Sequence, residues 1–316
     1  MMTLNSALNV GANYIMTKTL ISVVGPTAIG KTALAIELAK HLDTEIISAD
    51  SRQFYKEMYI GTAVPSTEEL AAAKHHFIQN ISINDPYSVG DFESEAITAL
   101  ETLFKTHDTV IMVGGSGLYV NAVIKGLDHF PDIDSSIREN LNKAFEEHGI
   151  EYLQSQLKQL DPTIYDTIAI KNPHRLIRAL EVCIGTGKPY SSFLNVSEKK
   201  RNFKTVTVGL DAERSVIYDR INQRVDIMID NGLIEEAKRL YPYKHLNALN
   251  TVGYKELFQY FDGDISLDFA ISEIKKNTRR FAKRQLTWFK KDPSILWFDY
   301  KTNPKIILET LNQSKL

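Results

Sequence analysis

The chain has 316 residues, with 37 Lys and Arg against 39 Asp and Glu, for a formal net charge of −2 at pH 7. That length suffices for one large or two modest domains, and the charge balance excludes a global cationic field, so any nucleic-acid partner must be met by a local patch. A single cysteine, Cys183, excludes an internal disulfide and fits a reducing, cytoplasmic setting, and no run approaches 18 apolar residues, so no membrane partner is expected.

The first residues lack the basic start and apolar middle of a secretory signal. Met16 is the expected functional start, which makes residues 1–15 an extension, and residues 1–17 are expected to be disordered and outside the folded core. The apolar run Leu20, Ile21, Ser22, Val23, Val24 then reads as a strand, and Leu34, Ala35, Leu38, Ala39 and Leu42 follow at helical spacing. Between them stands Gly25-Pro26-Thr27-Ala28-Ile29-Gly30-Lys31-Thr32, a full GxxxxGK[ST] phosphate loop in the strand–loop–helix context it needs. Its backbone N–H groups, the helix start and Lys31 suit phosphate oxygens, and the Thr32 hydroxyl suits magnesium. By itself the loop names no particular phosphate, and a nucleotide is the default occupant.

A second strand, residues 45–49, leads into Asp50-Ser51-Arg52-Gln53. Ligands gather at the carboxyl ends of parallel strands, so Asp50 should face the loop's crevice, where its carboxylate can accept a proton. The alternative is an Asp that caps the next helix. A metal role for His75-His76 is set aside, since neighbours on a strand point to opposite faces and no third ligand is near. The third strand, 109–113, ends in Gly114-Gly115-Ser116-Gly117-Leu118-Tyr119, where many nucleotide hydrolases place a magnesium-binding Asp. Its absence weighs against an ATPase or GTPase. The glycines suit either a plain turn or a backbone kept bare for a bulky substrate.

Residues 128–202 hold no convincing strand. Ile137, Leu141, Ala144 and Phe145 form one helical stripe and Leu153, Leu157 and Leu160 another; a third helix starts at Asn172-Pro173 and ends near Gly185 and Gly187. Strands at 205–210 and 295–298 follow. The expected architecture is therefore an α/β, P-loop three-layer core, residues 18–127 and 203–316, with a central parallel sheet interrupted by a helical insertion domain at 128–202. In the helix beginning near Tyr218, Arg220 and Arg224 lie one turn apart and could reach a leaving phosphate, although surface salt bridging fits the spacing equally. Along residues 271–291, Ile271, Ile274, Thr278, Phe281, Gln285 and Trp288 mark a mostly buried face. Lys275, Arg279 and Lys283 form a basic row, with Lys276, Arg280 and Arg284 beside it, as expected for contact with a phosphate backbone.

Taken together these segments resemble the tRNA dimethylallyltransferases, the isopentenyl-tRNA transferase family. The resemblance runs from Leu20 to about Phe298. Besides the loop, Asp50-Ser51-Arg52-Gln53 and Gly114 to Tyr119, it includes Tyr59-Ile60-Gly61-Thr62-Ala63, Arg178-Ala179-Leu180-Glu181-Val182, Thr186-Gly187-Lys188-Pro189, Arg220 to Asp226, Gly253-Tyr254-Lys255-Glu256, and Thr278-Arg279 through Phe289. Three features depart from the common pattern: Val64 replaces a lysine, Asn172 and Ile170 replace Asp and Pro before the Arg175 helix, and no Cys/His zinc finger follows the core, as in bacterial members.

The resemblance implies transfer of a dimethylallyl group from dimethylallyl diphosphate to N6 of the adenosine 3′ of the anticodon, by a monomer that uses Mg2+. It implies Thr27 near the bridging oxygen, Arg220 near the departing diphosphate and Asp50 as base. Ser51, Arg52, Gln53 and Ser116 would meet the flipped base and RNA, and Arg138, Arg175, Lys275, Arg279 and Lys283 would clasp the anticodon stem-loop. The rivals are a small-molecule P-loop kinase and a non-catalytic RNA-binding protein.

Overall fold

The computed structural model describes residues 18–194 and 200–313; the expected extension at 1–17 lies outside them. In chain order the elements begin with β1 (Thr19–Val24), α1 (Lys31–Leu42), β2 (Ile46–Ser48), α2 (Thr67–Ala72), β3 (His75–His76), α3 (Val89–Leu103), β4 (Thr109–Val113) and α4 (Gly117–Lys125). Next come α5 (Ser135–His148), α6 (Ile150–Leu160), α7 (Pro162–Tyr165) and α8 (Pro173–Thr186). The chain then continues through β5 (Lys204–Asp211), α9 (Arg214–Asp230), α10 (Leu233–Leu240), α11 (Tyr254–Phe261), α12 (Leu267–Phe289), β6 (Leu296–Asp299) and α13 (Pro304–Gln313).

The six strands form one sheet in the order β3-β2-β4-β1-β5-β6, and every pairing is parallel. β1 lies at its centre, between β4 and β5, and all six of its residues are buried. That is why it reads as a continuous apolar run instead of an alternating one. Its side chains nevertheless alternate between two cores. Ile21 and Val23 pack with Leu34, Leu38, Ile217, Ile221, Ile307 and Leu311 on the face covered by α1, α9 and α13. Leu20 and Val24 pack with Phe92, Ala96, Leu100, Val120 and Val123 on the face covered by α3 and α4. Each such fully buried side chain contributes roughly 1.5–3 kcal/mol. The result is the three-layer P-loop architecture expected from sequence.

Of the six strands, β3 alone was absent from the expected set. Its two histidines pair with Ile46 and Ile47 of β2. His76 Nε2 lies 2.6 Å from Glu45 and His75 Nδ1 lies 2.7 Å from the Ala73 carbonyl, and burial pushes the His75 pKa down.

The described residues form two compact units: one up to Ile124 together with the chain from Arg201 onward, the other Lys125–Lys200. The second unit is helical, with a core of Leu141, Leu153, Leu157, Leu176 and Leu180. Its α8 has the ends its sequence announces: the Asn172 side chain accepts from Arg175 N, Pro173 is the first helical residue, and Gly187 closes the helix at φ 68°.

Candidate active site

The phosphate loop leaves β1 at Val24 and enters α1 at Lys31. Only glycine fits at position 25, because a Cβ there would lie 2.6 Å from the Leu210 carbonyl oxygen of β5. At the crest Ala28 holds φ 64°, a left-handed conformation that costs a non-glycine residue roughly 1–2 kcal/mol. Two contacts brace it: the Thr27 N–H donates to Gln285 Oε1 at 2.8 Å, and Arg220 Nε donates to the Ala28 carbonyl at 2.7 Å. Lys31 Nζ donates to the Pro26 carbonyl at 2.7 Å. Burial pushes the Lys31 pKa down to about 8; Asp50 opposes that shift and Arg224 reinforces it.

Asp50 follows β2, where its Oδ1 accepts from the Arg52 N–H at 3.1 Å. No helix starts there. The next one, α2, is capped by Ser66, so the capping alternative for Asp50 does not apply. Thr27, Lys31, Thr32, Asp50, Gln53 and Arg224 line one cavity of about 160 Å³. The Gln53 carboxamide is oriented by its partners: Nε2 donates to the Thr62 and Ala63 carbonyls, at 3.3 and 2.9 Å, and Oε1 accepts from Ser48 Oγ at 3.2 Å. The Arg224 side chain makes no hydrogen bond or ion pair among the described residues. Burial pushes its pKa down, opposed by Asp50 and Glu69.

A second cavity, of about 470 Å³, is lined by Ser51, Ser116, Lys255, Arg284, Gln285 and Trp288 among others, and shares Arg52, Thr251, Val252 and Phe281 with the first. The Ser51 N–H donates to Ser116 Oγ at 3.1 Å, and the two hydroxyls are also 3.1 Å apart. Arg52 Nη1 donates to the carbonyls of Asn247 and Ala248, at 3.2 and 2.9 Å.

The arrangement bears on three expectations, those for Arg220, the α12 stripe and the glycines after β4. Arg220 is absent from the first cavity's lining; its Nε is spent on Ala28 and its guanidinium lies over the Tyr300 ring at 5.3 Å, while Arg224 faces the cavity. The stripe on α12 is not one buried face. Phe281 and Trp288 are each 38% exposed and line the cavities, whereas Ala282 and Phe289 enter the two cores. The glycines after β4 are bare because the protein's own groups approach them: Cβ atoms at Gly114, Gly115 and Gly117 would lie 2.5 Å from Ala49, 2.2 Å from Gln285 and 2.3 Å from Trp288.

The basic row on α12 is also unevenly available. Lys275 pairs with Asp226 at 2.5 Å, Lys276 with Glu273 at 2.7 Å, and Arg279 donates to Asn222 at 2.7 Å. Lys283 is exposed and has no ion pair among the described residues. In the helical unit, Arg138 is held by Glu181 at 2.6 Å, whereas the Arg175 side chain is exposed. Spacing alone leaves Arg220 and Arg224 equivalent and assigns Gln285 to the core face; a carboxamide on a mostly apolar stripe is the available signal for the latter.

The family model described as IPP transferase matches residues 53–292. Over 301 residues the chain is 64% identical to a tRNA dimethylallyltransferase of Christiangramia forsetii, covering 95% of this chain and 99% of that one. It is 61% identical to the Flavobacterium johnsoniae tRNA dimethylallyltransferase, covering 92% and 96%. Among solved structures, the full-length tRNA isopentenylpyrophosphate transferase of Bacillus halodurans superimposes with a TM-score of 0.70 at 38% identity, covering 94% and 96%. A eukaryotic dimethylallyltransferase acting on tRNA superimposes at 0.76 and 26% identity, covering 90% of this chain and 74% of that one. The chain belongs to the IPP transferase family.

Proposed function

We propose that this protein transfers a dimethylallyl group from dimethylallyl diphosphate to N6 of the tRNA adenosine 3′-adjacent to the anticodon, releasing diphosphate. The observation that carries this reading is one cavity bearing a phosphate loop, an unpaired arginine and a carboxylate. In the reaction the allylic carbon–oxygen bond breaks and a carbon–N6 bond forms. Charge grows on the departing diphosphate, where loop N–H groups, Lys31 and Arg224 stabilise it; Thr27 lies by the bridging oxygen and Arg220 supports the loop from α9. Asp50 takes the proton that N6 loses.

The residues present fit magnesium, which the Thr32 hydroxyl would help to hold. The Thr32 hydroxyl lines the cavity with no hydrogen bond among the described residues, and no cluster of three His, Cys, Asp or Glu there makes a cage. When bound, magnesium supplies positive charge to the leaving group.

Access of an anticodon-loop base requires unstacking it into the pocket. In this reading Ser51, Arg52, Gln53 and Ser116, which line the two cavities, meet that base and the RNA next to it, while Arg138, Arg175, Lys275, Arg279 and Lys283 meet RNA phosphates. The protein acts as a cytoplasmic monomer. A small-molecule kinase is not favoured: it leaves the helical insertion and the basic α12 without a use. The test incubates the protein with labelled dimethylallyl diphosphate, ATP and unmodified tRNA. Label entering tRNA supports the transferase; ATP consumption with a small acceptor, or neither event, refutes it.

A further inference from the structure

Gln285 sits on α12, away from the sequence of the phosphate loop, and is 6% exposed. Both ends of its carboxamide are used. Oε1 accepts from Thr27 N–H at 2.8 Å, and Nε2 donates to the Gly115 carbonyl at 2.9 Å. An N–H can be met only by the oxygen and a carbonyl only by the nitrogen, so the amide's orientation is set by its partners. Gly115 has no side chain, and a Cβ there would lie 2.2 Å from Gln285 Nε2, so the close approach depends on both residues. One residue further along the loop stands Ala28 at φ 64°. The strained crest is thus held from α12 on one side and, through Arg220, from α9 on the other.

We propose that Gln285 is a positioning residue for the diphosphate: by tying Thr27 to Gly115 it holds the crest of the phosphate loop in its strained, binding-ready conformation before any ligand arrives. This rests on reading residues 25–32 as a diphosphate cradle. Ordering the loop in advance removes a conformational cost from each binding event and from the step in which charge develops. Left to itself, Ala28 relaxes toward negative φ and carries the neighbouring N–H groups with it. Gln285 also withdraws the Thr27 N–H from the groups that face phosphate.

The test is calorimetric titration of the full chain with magnesium pyrophosphate, beside steady-state transfer to tRNA. Gln285→Met keeps length and loses both hydrogen bonds; it should weaken pyrophosphate about 5- to 20-fold, the scale of one or two net hydrogen bonds, and lower kcat comparably. The Kd for tRNA should change less than the pyrophosphate affinity, because the Gln285 amide is already engaged by Thr27 and Gly115. Ala28→Gly removes the strain at positive φ, so in that background Gln285→Met should cost less than about threefold. Equal losses in both backgrounds, or an unchanged pyrophosphate affinity, would overturn the proposal. If the Met variant fails to fold, Gln285→Asn, one methylene shorter and unable to reach both partners, takes its place in the same cycle. A wild-type protein that binds pyrophosphate without prenylating tRNA refutes the transferase reading instead, and the pyrophosphate cycle still decides the role of Gln285.

Discussion

In the helical Lys125–Lys200 unit, the buried carboxylate of Glu181 meets both Arg138 and Arg178, at 2.6 and 3.0 Å. Asp161, also buried, accepts from the Ile164 N–H and from the backbone and hydroxyl of Ser191. Around the phosphate-loop cavity the pattern inverts. Arg224 has no ion pair among the described residues, Lys31 is bonded to a carbonyl and not a carboxylate, and burial pushes both pKa values down. Paired charges specify a fold, whereas charges left unpaired at the cost of desolvation mark the place where a ligand completes them. The same contrast runs along α12, from Lys275 paired with Asp226 to Lys283 without an ion pair.

Replacing one arginine from each region should break this comparison if it is wrong. Arg224→Met should lower kcat/KM for dimethylallyl diphosphate about 100-fold, the scale of losing one preorganised donor to a leaving group, without lowering Tm. Arg138→Met should do the reverse: Tm falls and the diphosphate KM is unmoved. Equal effects on both measurements would remove the distinction.

A smaller effect is expected from acid. Burial raises the Glu181 pKa, but hydrogen bonds and charge from Arg138 and Arg178 outweigh it and hold the value below the ordinary 4.5. A carboxylate with a depressed folded pKa contributes stability that is present above its unfolded value and lost as pH falls through the folded one. The contribution should be about 1.5–2 kcal/mol, the lower part of the range for charged hydrogen bonds because Arg138 is partly solvated. Thermal melts of Glu181→Gln should therefore show a lower Tm than wild type at pH 7 and a gap that narrows at pH 3. The smallest effect belongs to α12: Lys283→Ala should reduce the salt slope of tRNA binding by about 0.7–1, the share of one phosphate contact. Lys275→Ala should reduce it less, because Asp226 already engages that lysine.

The core strands, the phosphate loop and α8 were legible because each carries a local signature: a buried apolar run, a motif in its required context, a cap at either end. β3 was not, since a two-residue edge strand has no period to detect. The faces of α12 were misread for a physical reason. Periodicity reports that a stripe is apolar, but cannot say whether Phe281 and Trp288 meet a core or a cavity wall. Arg220 and Arg224 share a helix face at one-turn spacing, and only the packing of α9 against the loop decides which one braces Ala28 and which one faces the cavity. Likewise, the glycines at 114–117 announced a close approach without identifying Ala49, Gln285 and Trp288 as what approaches.

Asp50 carries the central claim, because in the proposed reaction its carboxylate, in the lining of the phosphate-loop cavity, is the group that deprotonates the attacking amine. Single-turnover transfer of labelled dimethylallyl to unmodified tRNA by Asp50→Ala, with tRNA binding measured on the same preparation, tests it most directly. The account predicts a rate at least about 100-fold below wild type, the usual scale for removing a general base, with tRNA affinity retained. Near-wild-type transfer by that variant would contradict it.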